Sequence, residues 1–382
     1  MTTVDSHDAS ALAAAPVSRR AAGWHRLRVT RAEAVGDRAV AITLAVPDQL
    51  ADTFAHRPGQ HVLVRALVAG RELRRSYSLC PPPARRAQPR PALRLVVTCL
   101  GPGGFAEYAT TALAVGDELE LSPPTGHFGL TQQSGGHHVL IAGGSGITPL
   151  LSMADAALRT DPRCRVSLLY ASRSAQSVLL ADELADLKDA HVGRFNVLHV
   201  LSREARESEL LTGRIDGARL PALLALLGAE PDDRTHFYLC GPIGLVESAR
   251  EALAHWGAAP DRVRFELFST GPATGHRPRP EGVLAAGPRS GCLISARLGG
   301  RTTAVSLGPQ DRVLLDALLR ARPETPYSCR DGLCGSCRAK VTDGSVSMDR
   351  QYALDAAELA AGYTLACRAR AESDRIALDF DA

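Results

Sequence analysis

Lysine is nearly missing from this chain. Of its 44 basic side chains only Lys188 and Lys340 are lysine, and the arginines that make up the rest are scattered rather than clustered. With a net charge of +3, that pattern reads as compositional bias and leaves no basic footprint for a nucleic acid. Long apolar runs are absent as well. No stretch approaches the ~18 uninterrupted apolar residues that a membrane-spanning helix needs. Nor does the chain contain an H-E-x-x-H motif, an E-x-x-H pair or a Rieske Cys-His arrangement, so nothing in it reads as a terminal oxygen-activating centre. The remaining cysteines argue against a disulfide framework: Cys80, Cys99, Cys164, Cys240 and Cys292 are odd in number and widely spaced, which favours a reducing cytoplasm.

What remains is a composition of 45% hydrophobic and 22% charged residues over 382 positions, enough for about three soluble domains. Residues 1–22 carry Asp5 and Asp8 ahead of a short apolar stretch and Arg19-Arg20 behind it, the reverse of a secretory signal, and are expected to be a disordered tail.

Four further cysteines carry the strongest signal. Cys329, Cys334, Cys337 and Cys367 follow the spacing C-x4-C-x2-C and then one distant cysteine, which is that of a plant-type 2Fe-2S cluster. Thiolates are soft ligands that share charge with iron. Gly332, Gly335 and Ser336 are small enough to let a loop wrap the cluster and aim N–H groups at sulfur. Zinc sites usually pair two short C-x2-C arms, so the spacing favours iron–sulfur over zinc.

Three blocks can be read along the chain. From 23 to 130, short runs such as H-V-L-V-R-A-L-V and L-R-L-V-V-T-C-L alternate with P-G, P-P-P and G-P-G-G, predicting an antiparallel β-barrel. From 131 to 268 the pattern becomes strand, glycine turn, helix, predicting a parallel α/β sheet. A Pro/Gly linker over 269–288 leads to a cluster domain over 289–382. In the second block Gly143-Gly144-Ser145-Gly146-Ile147-Thr148-Pro149 stands between a strand and a helix. Glycines there permit a tight turn, and a helix N-terminus attracts a pyrophosphate. Ser172-Arg173 and Ser202-Arg203 follow the second and third strands and could bind a 2'-phosphate, favouring NADPH over NADH.

Arg75-Ser76-Tyr77-Ser78 in the first block resembles the R-x-Y-S motif of the ferredoxin-NADP reductase superfamily. The resemblance implies Arg75 on a flavin phosphate, Tyr77 against the isoalloxazine and Ser78 near the flavin N5. Gly103-Gly104-Phe105 matches the family's second flavin segment, where backbone N–H groups approach the pyrophosphate. The next position is Ala106 instead of the usual hydroxyl residue, which leaves FMN open beside FAD. Gly126-His127-Phe128-Gly129 closes the barrel as in family members, though Phe128 can equally be core. The family has a hydroxyl at Thr148. It places Cys240-Gly241-Pro242 beside the nicotinamide, and it has a terminal E-x-F matched by Glu266-Leu267-Phe268, with Phe268 near the flavin. A nucleophilic role for Cys240 is the weaker reading, since an apolar-flanked cysteine is usually inert.

The module order resembles the reductase components of bacterial multicomponent oxygenases. Within these, A-G-G-S-G-I-T-P, L-L-T-G-R-I-D-G, P-Y-S-C-R-D-G-L-C-G-S-C and A-A-G-Y-T-L-A-C resemble the reductase subunits of phenylacetyl-CoA epoxidases, with 3-ketosteroid 9α-hydroxylase reductases as relatives. That implies β-grasp folding of the cluster domain and electron flow from NAD(P)H through FAD and 2Fe-2S to an oxygenase, di-iron in the first case and Rieske-type in the second. A relay subunit that does not itself use NAD(P)H remains the alternative.

Overall fold

The computed structural model describes residues 14–15, 23–68, 70–80, 91–130, 135–268, 291–349 and 351–382. The linker expected over 269–288 lies outside them, as does the tail expected over 1–22, except that Ala14–Ala15 form a short strand there. By packing, the chain divides into two compact units, 1–270 and 271–382.

The first unit begins with strands β1 (Ala14–Ala15), β2 (His25–Ala34), β3 (Ala39–Ala45), β4 (His61–Val68), β5 (Arg71–Ser78) and β6 (Ala92–Thr98), then helix α1 (Gly104–Thr111) and β7 (Glu118–Leu121). Their order is β1-β4-β7-β2-β3-β6, with β5 on β4 and a Leu79–Leu95 bridge joining the end of β5 to β6. That bridge closes the antiparallel barrel, so β5 has a neighbour on both sides. Buried leucine, isoleucine and valine side chains fill its interior, among them Leu27, Ile42, Leu44, Val62, Leu95 and Leu121.

A parallel sheet follows, made of β8 (His137–Gly143), β9 (Arg165–Ser172), β10 (Phe195–Leu201), β11 (Thr235–Pro242) and β12 (Val263–Phe268), with helices α2 (Ile147–Thr160), α3 (Ala181–Ala190), α4 (Leu220–Leu226) and α5 (Ile243–Trp256). The strand order β10-β9-β8-β11-β12 reverses direction between β8 and β11. Ligands of open α/β sheets bind at the carboxyl ends of strands at such a switch point.

Barrel and sheet share a core through β3. Its even positions Val40, Ile42 and Leu44 point into the barrel, whereas Ala39 and Ala41, with Cys80 and Val96, belong to the core of the parallel sheet. Alanine on that face lets the second layer approach closely. Arg94, 2% exposed, reaches across to Glu183 of α3 at 2.5 Å.

The second unit contains β13 (Leu293–Leu298), β14 (Arg301–Ser306), helix α6 (Leu314–Ala321), β15 (Arg338–Asp343), β16 (Val346–Met348), helix α7 (Ala356–Ala360), β17 (Tyr363–Leu365), β18 (Ala369–Ala371) and β19 (Arg375–Asp379). The order β14-β13-β19-β15-β17 is antiparallel except for the β13–β19 pair, and α6 buries Leu314, Leu315, Ala317 and Leu318 in its core. This is the β-grasp arrangement expected from the sequence. Among the described residues no helix is long and apolar enough to cross a membrane.

Candidate functional site

Strand β5 carries Arg75, Tyr77 and Ser78 beside β4, with Ser78 directly opposite His61. Ser78 is buried, and its hydroxyl donates to the Glu266 carboxylate of β12 at 3.4 Å. Thus the R-x-Y-S serine of the barrel and the E-x-F glutamate of the sheet meet, a contact that neither motif specified by itself. Arg75 donates to the Arg74 carbonyl at 2.8 Å. Burial pushes the Tyr77 phenol well up against the opposing pull of Arg75, which keeps the ring neutral.

The Phe105 side chain points into the barrel. It is 2% exposed, its ring 5.7 Å from Tyr77 and 6.1 Å from Tyr108, so it backs the tyrosine from inside the barrel. The neighbouring glycines do face outward: Gly103 and Gly104 have φ of 84° and 80°, and a Cβ on Gly103 would meet nothing within 4 Å. The Gly103 N–H is taken by the Glu107 carboxylate at 2.6 Å, an anion on the amide where a pyrophosphate was expected. Phe128 belongs to the core shared with the parallel sheet. Phe268 packs half-buried against that same core.

At the switch point, β8 runs into Gly143–Gly146 and β11 into Cys240–Pro242. Their backbones touch. A Cβ on Gly146 would lie 2.1 Å from the Cys240 carbonyl oxygen, and one on Gly241 3.0 Å from Gly143. Those glycines are required by chain-on-chain packing. Gly144 differs, with φ of 53° and open space around its Cβ position, and so presents backbone to solvent. Sequence reading missed what holds it there: the buried Tyr170 hydroxyl donates to the Gly144 carbonyl at 3.1 Å and accepts from Leu179 N–H. Ser145 leads into the helix, and Thr148, expected to lend its hydroxyl to the nucleotide, donates instead to the Ser145 carbonyl at 3.0 Å. Cys240 is fully buried, and burial pushes its thiol well up, with Glu266 adding to the effect. A protonated thiol of this kind is no nucleophile.

The two Ser-Arg pairs stand side by side at the carboxyl edge. Ser202 N–H donates to Ser172 O at 2.9 Å and Arg203 N–H to Arg173 O at 2.7 Å. Both arginines are exposed, and neither guanidinium is paired among the described residues.

In the second unit the four thiols come together as two neighbouring pairs, Cys329 with Cys334 and Cys337 with Cys367. Among the described residues they do not close into a single group at metal-binding distance. Cys329 Sγ accepts the Asp331 and Leu333 N–H groups at 3.4 Å, and Cys337 Sγ accepts Cys367 N–H at 3.5 Å. Arg330, Gly332 and Gly335 take φ of 59°, 75° and 65°, so the loop curls with its amides inward. The hydrogen bond from Cys329 pulls the Cys334 thiol down to about 7. A donor set of four thiols with N–H groups on sulfur suits a 2Fe-2S cluster. In the first unit, the open space beside Gly103 and Gly144 suits a flavin and a dinucleotide, with the Gly103 amide free for a phosphate only once Glu107 releases it.

The comparisons agree with this geometry. Residues 26–129 match the oxidoreductase FAD-binding domain family, 140–251 the oxidoreductase NAD-binding domain family and 297–372 the 2Fe-2S iron-sulfur cluster binding domain family. The first of these covers Ala106, the position that left FMN open. The chain is 37% identical to a subunit of the 1,2-phenylacetyl-CoA epoxidase of Escherichia coli (strain K12), over 94% of this chain and 98% of the relative. It is 32% identical to the ferredoxin reductase component of the 3-ketosteroid-9-alpha-monooxygenase of Rhodococcus rhodochrous, over 89% and 92%. Among solved structures, phthalate dioxygenase reductase aligns over 94% of this chain and 98% of its own at 25% identity, with a TM-score of 0.55. A type IV self-sufficient cytochrome P450 monooxygenase aligns over 93% of this chain and 41% of its own at 27% identity, with a TM-score of 0.65. The chain therefore belongs to the family of modular oxygenase reductases that carry FAD-binding, NAD-binding and 2Fe-2S domains and pass electrons to an oxygenase.

Proposed function

We propose that this chain is the reductase subunit of a di-iron oxygenase of the phenylacetyl-CoA epoxidase kind, using NADPH as electron donor. The observation that carries the reductase half is the meeting of Ser78 and Glu266 next to the β8–β11 switch point, where a flavin and a nicotinamide would have to touch. Two-electron donors and one-electron clusters need an intermediary; bound flavin supplies it by accepting a hydride and releasing single electrons.

The protein's own groups have separable tasks. Arg75 offers a guanidinium to a phosphate, and Tyr77, braced by Phe105, offers a flat neutral face. Ser78 donates its hydroxyl proton to Glu266 and keeps its oxygen lone pairs to accept from a ligand. Gly144 offers an open backbone to a pyrophosphate, and Arg173 and Arg203 offer two unengaged guanidiniums to a 2'-phosphate, which favours NADPH. Cys329, Cys334, Cys337 and Cys367 hold the cluster. The similarity to the epoxidase subunit favours the di-iron partner, and the steroid monooxygenase relatives make a Rieske partner the competing outcome.

Anaerobic titration of the holoprotein with NADPH and, separately, NADH tests the reading, following flavin absorbance and the cluster EPR signal together. Flavin bleaching followed by a reduced 2Fe-2S signal, faster with NADPH, is expected. A flavin that neither nucleotide reduces would replace the reading with a relay subunit. Turnover with a purified di-iron epoxidase set against a Rieske oxygenase then decides the partner.

A further inference from the structure

Between β9 and α3 the chain makes a short loop that carries Arg173 and ends at Leu180, and it is tied down at several points. Ser177 Oγ accepts the Arg173 and Ser174 N–H groups at 3.1 and 2.9 Å and donates to the Ser174 carbonyl at 2.8 Å. From outside, the Glu204 carboxylate takes the Ala175 N–H at 2.8 Å, and the Asp37 N–H of the barrel donates to the Gln176 carbonyl at 3.0 Å. The last residue is held against its own preference: Leu180 takes φ of 58°, a conformation that a leucine keeps only where its surroundings fix it.

On the inner side a single hydroxyl does the tying. Tyr170 is fully buried, and its oxygen meets the loop and the glycine turn at once, accepting from Leu179 N–H at 3.1 Å and donating to Gly144 O at 3.1 Å. Burial pushes the phenol well up, so the hydroxyl keeps the proton it donates. Leu179 is itself buried, and its N–H depends on that oxygen. The Gly144 carbonyl also accepts from Ile147 N–H at the start of α2, so one short chain of hydrogen bonds links helix, turn and loop.

We propose that Tyr170 is a positioning residue that couples the Gly144 turn to the Arg173 loop, so that a dinucleotide settling its pyrophosphate on the turn finds the guanidinium for its 2'-phosphate already in place. This rests on the reading of Gly144 and Arg173 as dinucleotide contacts. The gain is preorganisation: an arginine on a loose loop has to be ordered when the ligand arrives, and an arginine on a braced loop does not. A buried tyrosine two residues before Ser172 thereby acts on affinity, and on the choice between NADPH and NADH, through groups other than its own. Tyr170→Phe keeps the ring and removes only the bridge, leaving the Leu179 N–H without its acceptor.

Two measurements on the holoprotein test this. Dissociation constants for NADP+ and NAD+, read from flavin difference absorbance, form a double-mutant cycle of Tyr170→Phe with Arg173→Ala. Tyr170→Phe is expected to weaken NADP+ about tenfold and NAD+ roughly threefold, and the Arg173→Ala penalty on NADP+ is expected to shrink about threefold in the Tyr170→Phe background. Penalties that simply multiply overturn the proposal. The second measurement is amide hydrogen exchange without nucleotide, where Tyr170→Phe is expected to speed residues 143–147 and 173–180 together, about tenfold, and leave β11 unchanged. Acceleration in one segment alone, or spread through the sheet, overturns it. Should Tyr170→Phe not fold, NAD+ is added to the parent: though it lacks a 2'-phosphate, it is expected to protect the Leu179 amide along with the turn, and protection confined to the turn overturns the coupling. If Arg173→Ala leaves NADP+ affinity unchanged, or neither dinucleotide binds, the dinucleotide reading fails by itself, and the exchange of the two segments in Tyr170→Phe still decides whether Tyr170 joins turn and loop.

Discussion

Cys334 sits at the middle of the thiol cluster, bonded to Cys329 and next to Cys337. Replacing it by serine removes a soft ligand without touching the first unit, so Cys334→Ser should retain flavin reduction by NADPH and lose transfer to a one-electron protein acceptor, read by cytochrome c reduction. Arg173 and Arg203 make the donor preference testable in the same way. Charge-assisted hydrogen bonds contribute about 1.5–3 kcal/mol, so the double alanine variant should raise KM for NADPH by roughly tenfold or more and leave NADH little changed. Both sets were legible in the sequence because spacing and position after a strand define them. Single residues whose partners lie far along the chain were not. Ser78 and Glu266 are 188 positions apart, and although each fitted a motif, only the folded barrel shows that they touch. The Tyr170 brace under Gly144 was equally invisible, since a tyrosine in a buried strand reads as core.

Among the elements, the parallel strands were read from their apolar runs, which survive the polar residues at their ends and on the partly exposed edge strands β10 and β12. β3 shows the limit of that logic. Its sequence A-V-A-I-T-L-A identifies a strand, yet nothing in it tells that the alanine face meets a second core. The amino ends of the sheet carry an unforeseen load of histidine. His137, its Nε2 2.9 Å from the Ser167 hydroxyl, and His138, its ring beside His236 and Tyr238, are both pushed down from 6.5 to about 4, first by burial and then by Arg165 and His236 respectively. A histidine held neutral in the fold binds its proton more readily when unfolded. Their contribution is therefore fully present above pH 6.5 and is lost as the pH falls from 6.5 toward 4. Urea midpoints should drop between pH 7.5 and pH 5, followed by tryptophan fluorescence, and His138→Gln should shrink that drop.

At the scale of the molecule, the barrel and the parallel sheet form one unit, and the cluster domain has a core of its own. Heating the holoprotein should give two transitions, one seen by flavin fluorescence and the other by cluster absorbance; a single coincident transition would contradict separate cores. Inside the first unit, the Arg94–Glu183 pair ties barrel to sheet. Glu183→Ala takes the carboxylate away from a nearly inaccessible guanidinium and should cost on the order of 3 kcal/mol, read from denaturation of the flavin-bearing unit. The three-module order was plain from the sequence, but not which modules are inseparable, since that depends on small side chains at one strand face. The alanines of β3 have a consequence for how such chains can be recombined. A crossover between 130 and 131 would pair a foreign barrel wall with a surface cut to fit Ala39 and Ala41, whereas one placed between the two units lets an entire ferredoxin be exchanged without disturbing either core.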